Sequence, residues 1–252
     1  MQSEELRDLL ICGVKWELNE KPNTYMKSNI QPAQQSSSFS MGQHATSAIV
    51  PPIAPAQSIS TATAVAMAAR PTDIDALCRM ISEFGHPLRA GATNVVLPSV
   101  ATNPNGLLIL TDMPGADDDA SGKILSGPTG ELMDKMLAAI DMSRENVSIV
   151  PMLFWRTPGG RTPTRDEIDL ARPFVDRVIE MLAPRVILTL GSLPAAEVGN
   201  IQIARDHGKI VDLANGAKLI AMYHPNYLLL KPSAKREAWT ALQDAQKLLK
   251  TV

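Results

Sequence analysis

Between residues 107 and 249 short apolar runs alternate with longer amphipathic stretches, and few folds accommodate that order. The reading is strand 107–111, helix 128–141, strand 147–152, helix 165–182, strand 185–190, helix 192–199, strand 218–223 and helix 233–249. Strands separated by helices pair in parallel and are buried on both faces, which is why they read as unbroken apolar runs. The expected fold class is therefore α/β: three α/β/α layers around a central, mostly parallel sheet of four strands. Helix starts are marked as well. Thr72 or Asp73 caps a helix running to about Phe84, which Gly85 and Pro87 end, and Thr164 with Glu167 has the spacing of a capping box.

Before this region the composition changes. Leu6, Leu9, Leu10, Val14 and Leu18 recur at helical spacing, so residues 1–20 read as a short amphipathic helix, weakened by Gly13. Residues 21–70 are rich in Ser, Ala, Pro, Gln and Thr and read as a flexible linker, with an Ala-rich helix over 62–69 as the competing reading. Residues 71–252 form the expected domain. The whole chain, at 252 residues and 45% hydrophobic content, is long enough for a sizeable core, and no apolar run reaches membrane-spanning length. The acidic start Met1-Gln2-Ser3-Glu4-Glu5 carries no secretory signal, so a cytoplasmic location is expected. Cys12 and Cys78 lie far apart and suit neither a disulfide framework nor a self-contained metal site. A net charge of −2 excludes nucleic-acid binding by bulk charge and leaves room for a local basic stripe.

Ligands of open parallel sheets bind at the carboxyl ends of the strands, which makes the segments just after them the candidate site. The first is followed by Asp112-Met113-Pro114-Gly115 and then Asp117, Asp118 and Asp119, of which Asp112 is the strand-proximal carboxylate and the other three are expected on a solvated face. The second runs from Pro151 to Arg156 and Arg161, and the third ends at Gly191-Ser192. The fourth ends at His224, expected to be exposed, and leads into the Pro-stiffened apolar loop Pro225-Asn226-Tyr227-Leu228-Leu229-Leu230.

Five blocks in this order carry a resemblance: Met113 to Asp119, Gly127 to Leu137, Arg161-Thr162-Pro163-Thr164, Ala171-Arg172-Pro173-Phe174, and His224 to Leu229. Over about residues 72 to 250 the chain resembles the uracil-DNA glycosylase superfamily, most closely its bacterial family-four type. The resemblance implies hydrolysis of the bond joining uracil to deoxyribose, with the base flipped out of the duplex. It implies that Asp112 replaces a Glu that places or activates water, and that His224 stabilises the departing uracil anion. Met113, Pro114, Gly115, Leu125 and Pro151 would line the base pocket. Leu228, Leu229 and Leu230 would fill the gap left by the flipped base, while Gly191, Ser192, Arg156, Arg161, Lys231, Lys235 and Arg236 would hold phosphates.

The departures shape the functional expectation. Leu125 stands where the family has a Phe that stacks on uracil, and Pro151 where it has an Asn that reads the base edge. Asp112 is a methylene shorter than Glu, a displacement of over ~1 Å worth on the order of 100-fold in rate. The family's iron–sulfur cluster needs four cysteines, but His86, Trp155 and Ala171 stand at or near three of those positions and the fourth is not Cys either; no cluster and no other metal is expected. The expected function is that of a uracil-DNA glycosylase-like hydrolase of base-excision repair, acting on uracil or another deaminated base with weakened or redirected activity. The alternative is a catalytically silent DNA-binding or partner-recruiting homologue, tethered through the N-terminal helix and linker. DNA is the expected partner and a monomer the expected state. A nucleotide-binding fold of another kind is disfavoured by the lack of a Gly-x-Gly-x-x-Gly or Walker loop.

Overall fold

A computed structural model of the chain describes residues 59–251, so the helix expected over 1–20 and most of the expected linker lie outside the described residues. Five strands form one sheet: β1 (Leu107–Thr111), β2 (Ser148–Pro151), β3 (Val186–Leu190), β4 (Ile210–Asp212) and β5 (Lys218–Met222), in the order β2-β1-β3-β5-β4. All neighbours pair in parallel except β4 with β5. The expected sheet of four strands thus gains an antiparallel edge. Only three residues long and not fully buried, β4 lacks the apolar run that marks the others.

The helices are α1 (Thr61–Ala68), α2 (Ile74–Glu83), α3 (Ala116–Ser121), α4 (Gly127–Ala138), α5 (Arg165–Leu182), α6 (Ser192–Gly199), α7 (Ile203–Asp206), α8 (Pro225–Leu230) and α9 (Lys235–Thr251). Because strand side chains alternate between faces, Leu108, Leu110, Ile187, Leu219 and Ala221 face a core built with α1, α2 and α5. Leu107, Ile109, Val186, Leu188, Leu190, Ile220 and Met222 face a second core with α4, α8 and α9. These are the three layers expected. The Thr164 capping box is present: its hydroxyl accepts from Glu167 N at 3.3 Å, and the Glu167 carboxylate accepts from Thr164 N at 2.8 Å.

Three expectations are corrected. The linker does not extend to residue 70: α1 starts on a Ser60 cap and buries Ala64 and Ala68 against α5, whose Arg177 also bonds the Pro71 carbonyl. Small side chains four residues apart let two helices approach closely, a contribution that low hydrophobicity conceals. Asp118 and Asp119 are buried rather than solvated. Asp118 accepts from Gly115 N and Ser126 N, and Asp119 from Thr93 N and Asn94 N, so both pin loops around α3. Finally, the Pro-stiffened loop after β5 is the helix α8, with Pro225 in its first turn, where a missing N–H costs nothing.

The loop from α3 to α4 is held from two sides. Arg144 donates to the carbonyls of Ile124 (2.8 Å) and Leu125 (2.6 Å), while Gly130 sits so close that a methyl group there would overlap the Leu125 carbonyl oxygen. Ala is the better helix former by about 1 kcal/mol. Gly130→Ala should nevertheless lower stability, by roughly 1–3 kcal/mol, because steric overlap with the loop outweighs propensity. Chemical denaturation checks the sign, and a stabilised variant would show that this loop is free to move.

Candidate active site

The register of the sheet fixes where the strand ends meet. Thr111 pairs with Pro151 on one side and Leu190 on the other, and Leu190 pairs with Met222. Asp112, Gly191 and, two residues past β5, His224 therefore lie along one rim. The sheet brings together the candidate residues from four strand ends as the alternation implied.

Asp112 is held against the start of α6. Its Oδ1 accepts the Leu193 N–H at 3.1 Å, and a methyl group on Gly191 would overlap its carboxyl group. Gly191 has φ +97°, so glycine is required there both for the backbone and for the close approach. Burial of the carboxyl group pushes its pKa up from 3.8 to about 7, with the Leu193 N–H pulling the other way. One consequence concerns the expected phosphate site: the Leu193 amide at this helix start is already engaged by Asp112, and Ser192 is exposed beside it.

His224 is half-buried rather than exposed. As the residue capping α8, it accepts the Asn226 N–H on Nδ1 at 3.2 Å, while Nε2 lies 3.0 Å from the Thr111 hydroxyl. Burial pulls its pKa down from 6.5 to about 4, so the ring is neutral at physiological pH. The Asn226 N–H fixes Nδ1 as an acceptor and leaves the ring proton on Nε2. Neither Thr111 nor the Leu193 amide was singled out from the sequence; a hydroxyl ending an otherwise aliphatic strand was the available signal for Thr111.

The remaining candidates divide. Pro151 is buried at the end of the edge strand β2, and Leu125 is buried in the core shared with Met222 and Leu228, with a left-handed φ of +49°. Met113 is half-buried with its sulfur 3.2 Å from the Thr157 hydroxyl, Pro114 is buried, and Gly115 is exposed at the start of α3. Leu228 is a core residue, whereas Leu229 and Leu230 are exposed, Leu230 by 79%. Arg161 is engaged by Glu167 through two bonds of 2.9 and 2.5 Å, which hold the Glu167 carboxyl near pKa 2. Lys231 sits 5.8 Å above the Tyr227 ring; Arg156 and Lys235 are half-buried, and Arg236 is exposed on α9. Clefts of about 310 and 210 Å³ open at the opposite, amino-terminal end of the sheet, lined by residues such as Asn105, Asn146 and Arg185 or Pro104, Gly106 and Pro184. Asp112 and His224, the buried groups with the oppositely shifted pKa values, lie at the other end.

Residues 98–244 match the family model described as the uracil DNA glycosylase superfamily. The chain belongs to that superfamily. The type-4 uracil-DNA glycosylase of Archaeoglobus fulgidus is 32% identical over 154 residues, which cover 58% of this chain and 77% of the relative. Those of Pyrobaculum aerophilum (28% identical, 60% of this chain and 81% of the relative) and Thermotoga maritima (29%, 64% and 84%) are similar over comparable spans.

For this superfamily member the cluster of family-four enzymes can be tested against the side chains in place. Where thiolates would converge, Trp155 stacks on His86 with ring centres 4.7 Å apart, and Phe84 packs on Phe174 at 4.8 Å beside buried Ala171. Both His86 nitrogens are used, Nε2 on the Glu167 carbonyl (2.9 Å) and Nδ1 on the Leu88 N–H (3.2 Å). The buried Trp155 Nε1 has no partner among the described residues. These residues fill the space and offer no soft donor, so they do not fit an iron–sulfur cluster.

The Asp112 shift makes a stability prediction independent of activity. A folded pKa above the unfolded one means that the native state binds more protons between pH 3.8 and about 7, so the carboxyl's contribution to stability falls as pH rises through that window. Asp112→Asn keeps an acceptor for Leu193 N–H and removes the charge. It should stabilise the protein at pH 8 by roughly 1–3 kcal/mol and change little at pH 4. Urea melts at the two pH values test this, and an equal effect at both would exclude burial of the charge as the cause.

Proposed function

We propose that this chain is a DNA glycosylase of base-excision repair, hydrolysing the N-glycosidic bond of a flipped uracil or another deaminated base, with uracil discrimination weaker than in its type-4 relatives. The observation that carries this reading is the placement of a carboxyl shifted up and an imidazole shifted down, Asp112 and His224, on one rim of the sheet, where Thr111 beside Asp112 is bonded to His224 across the end of β3. In the reaction the bond from C1′ to the base nitrogen breaks and its electron pair leaves with the base. A water oxygen bonds to C1′ as the Asp112 carboxylate takes the water's proton. Neutral His224, its Nε2–H resting on the Thr111 hydroxyl, stabilises the charge on the base through that hydrogen bond without having to lose a proton first. The departing anion then takes a proton from solvent.

The reduced discrimination rests on two side chains. Proline at 151 has neither a side-chain donor nor an acceptor, and an aliphatic Leu125 gives no aromatic face. Exposed Leu229 and Leu230 on α8 suit an apolar wedge, with Lys231 next to them for a phosphate. DNA is the partner this reading requires. Among the described residues no helix is long and apolar enough to cross a membrane.

Single-turnover assays on oligonucleotides carrying uracil, hypoxanthine or xanthine test the reading. Excision should rise with pH through about 7, as Asp112 ionises, with no second loss until well below pH 5, where His224 protonates. His224→Ala should lower the rate by about 100-fold or more, and Pro151→Asn should raise uracil excision relative to hypoxanthine. Robust uracil excision that survives His224→Ala would place the chemistry elsewhere.

The same reading includes a protein that works without a cluster, supported by the aromatic filling around Trp155 and His86. Freshly isolated protein should be colourless. Stoichiometric iron together with acid-labile sulfide would overturn this part.

A further inference from the structure

Two bonds hold the His224 ring, and they come from different parts of the fold. On one side the Asn226 N–H, in the first turn of α8, reaches Nδ1 at 3.2 Å; on the other, Nε2 meets Thr111 Oγ1 at 3.0 Å. With Nδ1 accepting, Nε2 carries the ring proton and donates it to Thr111. Thr111 Oγ1 is therefore the acceptor in this bond, and its own hydrogen remains available.

The contact also bridges the sheet. Thr111 ends β1 and His224 follows β5, and β3 lies between those strands. Alternation puts the Thr111 side chain on the same face as Leu107 and Ile109, the face shared by Leu190 and Met222, so the bond passes over the end of β3. Thr111 is only 3% exposed, so bulk water does not compete for the hydroxyl. Its β-branched side chain has few rotamers, which gives the hydroxyl a defined direction.

We infer that His224 and Thr111 form a preorganised hydrogen-bond relay for the negative charge that develops on the departing base: His224 Nε2–H polarises the Thr111 hydroxyl and fixes its orientation, and the Thr111 O–H donates toward the base. The inference rests on the glycosylase reading for its substrate. The bond that builds the site stands on geometry alone. The hydroxyl accepts one hydrogen bond as it gives another, and such chains strengthen each member. The charge that Thr111 meets develops on the base only as the glycosidic bond breaks, so its effect falls on the rate of the chemical step rather than on binding.

The test compares Thr111→Val, which keeps the shape and removes the hydroxyl, with Thr111→Ser, which keeps the hydroxyl. Thr111→Val should lower kcat by about 100- to 1,000-fold with KM nearly unchanged. Thr111→Ser should stay within about tenfold of the native kcat, less than one full donor's worth. Equal kcat for native and Val variants overturns the proposal, and so does a faster Val variant, which would make Thr111 a brake on His224. Nitrogen-15 NMR of His224 provides a readout without turnover. The native ring should show the Nε2–H tautomer with a slowly exchanging proton, which becomes fast-exchanging in Thr111→Val; an Nδ1–H tautomer or fast exchange in native protein overturns it. An inactive native protein would remove the glycosylase reading, and the NMR pattern alone would then decide whether the His224–Thr111 relay exists.

Discussion

The close contact between the Asp112 carboxyl group and the start of α6 is the constraint on which the rim depends. It exists because β1 and β3 are paired in register, so that the residue after Thr111 faces the residue after Leu190. Only glycine fits at 191, and the Leu193 N–H meets the carboxyl there. A helix start carries partial positive charge and is an ordinary place to hold an anion. In this chain the Leu193 amide at that helix start is directed inward, to an internal carboxylate.

Burial acts on Asp112 and His224 in opposite directions, and the result is a matched pair. A carboxyl near pKa 7 retains appreciable basicity, and an imidazole near pKa 4 stays neutral and able to donate. The two shifts also oppose one another in stability. As pH rises from about 4 toward 6.5, the unfolded His224 releases protons the native ring never bound, which favours folding, while the native Asp112 holds a proton that the unfolded chain has lost, which disfavours it. The whole protein's stability therefore changes less across that range than either group would suggest.

The layers were legible because the four buried parallel strands are continuous aliphatic runs and because caps such as Thr164 announce their helices; α5 spans the residues expected of it. The segments that were missed, as β4 was, or held only as a competing reading, as the Ala-rich helix was, lack such signals. A three-residue strand at the edge has no apolar run, and α1 packs through alanines that composition counts as linker material. The site shows the same division. Asp112 and His224 follow from their places after strands, but their partners are a backbone amide 81 residues away and a hydroxyl 113 residues away, and chain pattern does not reveal such pairings. Charge was the least legible property. Asp118 and Asp119 look like surface groups in the sequence but are buried loop ties, and the exposed Arg161, expected to hold phosphate, is engaged by Glu167.

The segments at which the resemblance would put cluster ligands are joined in this chain by aromatic side chains. Here Phe84 and His86 come from the loop after α2, Trp155 from the segment after β2, and Ala171 and Phe174 from α5. Their rings interlock, and the His86 bond to the Glu167 carbonyl ties the loop to the helix that also carries the Arg161 partner. Aromatic packing contributes through buried area and contact geometry and needs no thiolate or iron. It is also less directional than metal coordination, so the position of the segment after β2 depends on how well Trp155 fits its cavity. That segment leads from Pro151, which the sheet register against Thr111 already fixes, to Arg156, and so the aromatic cluster bears on the Arg156 end of the segment.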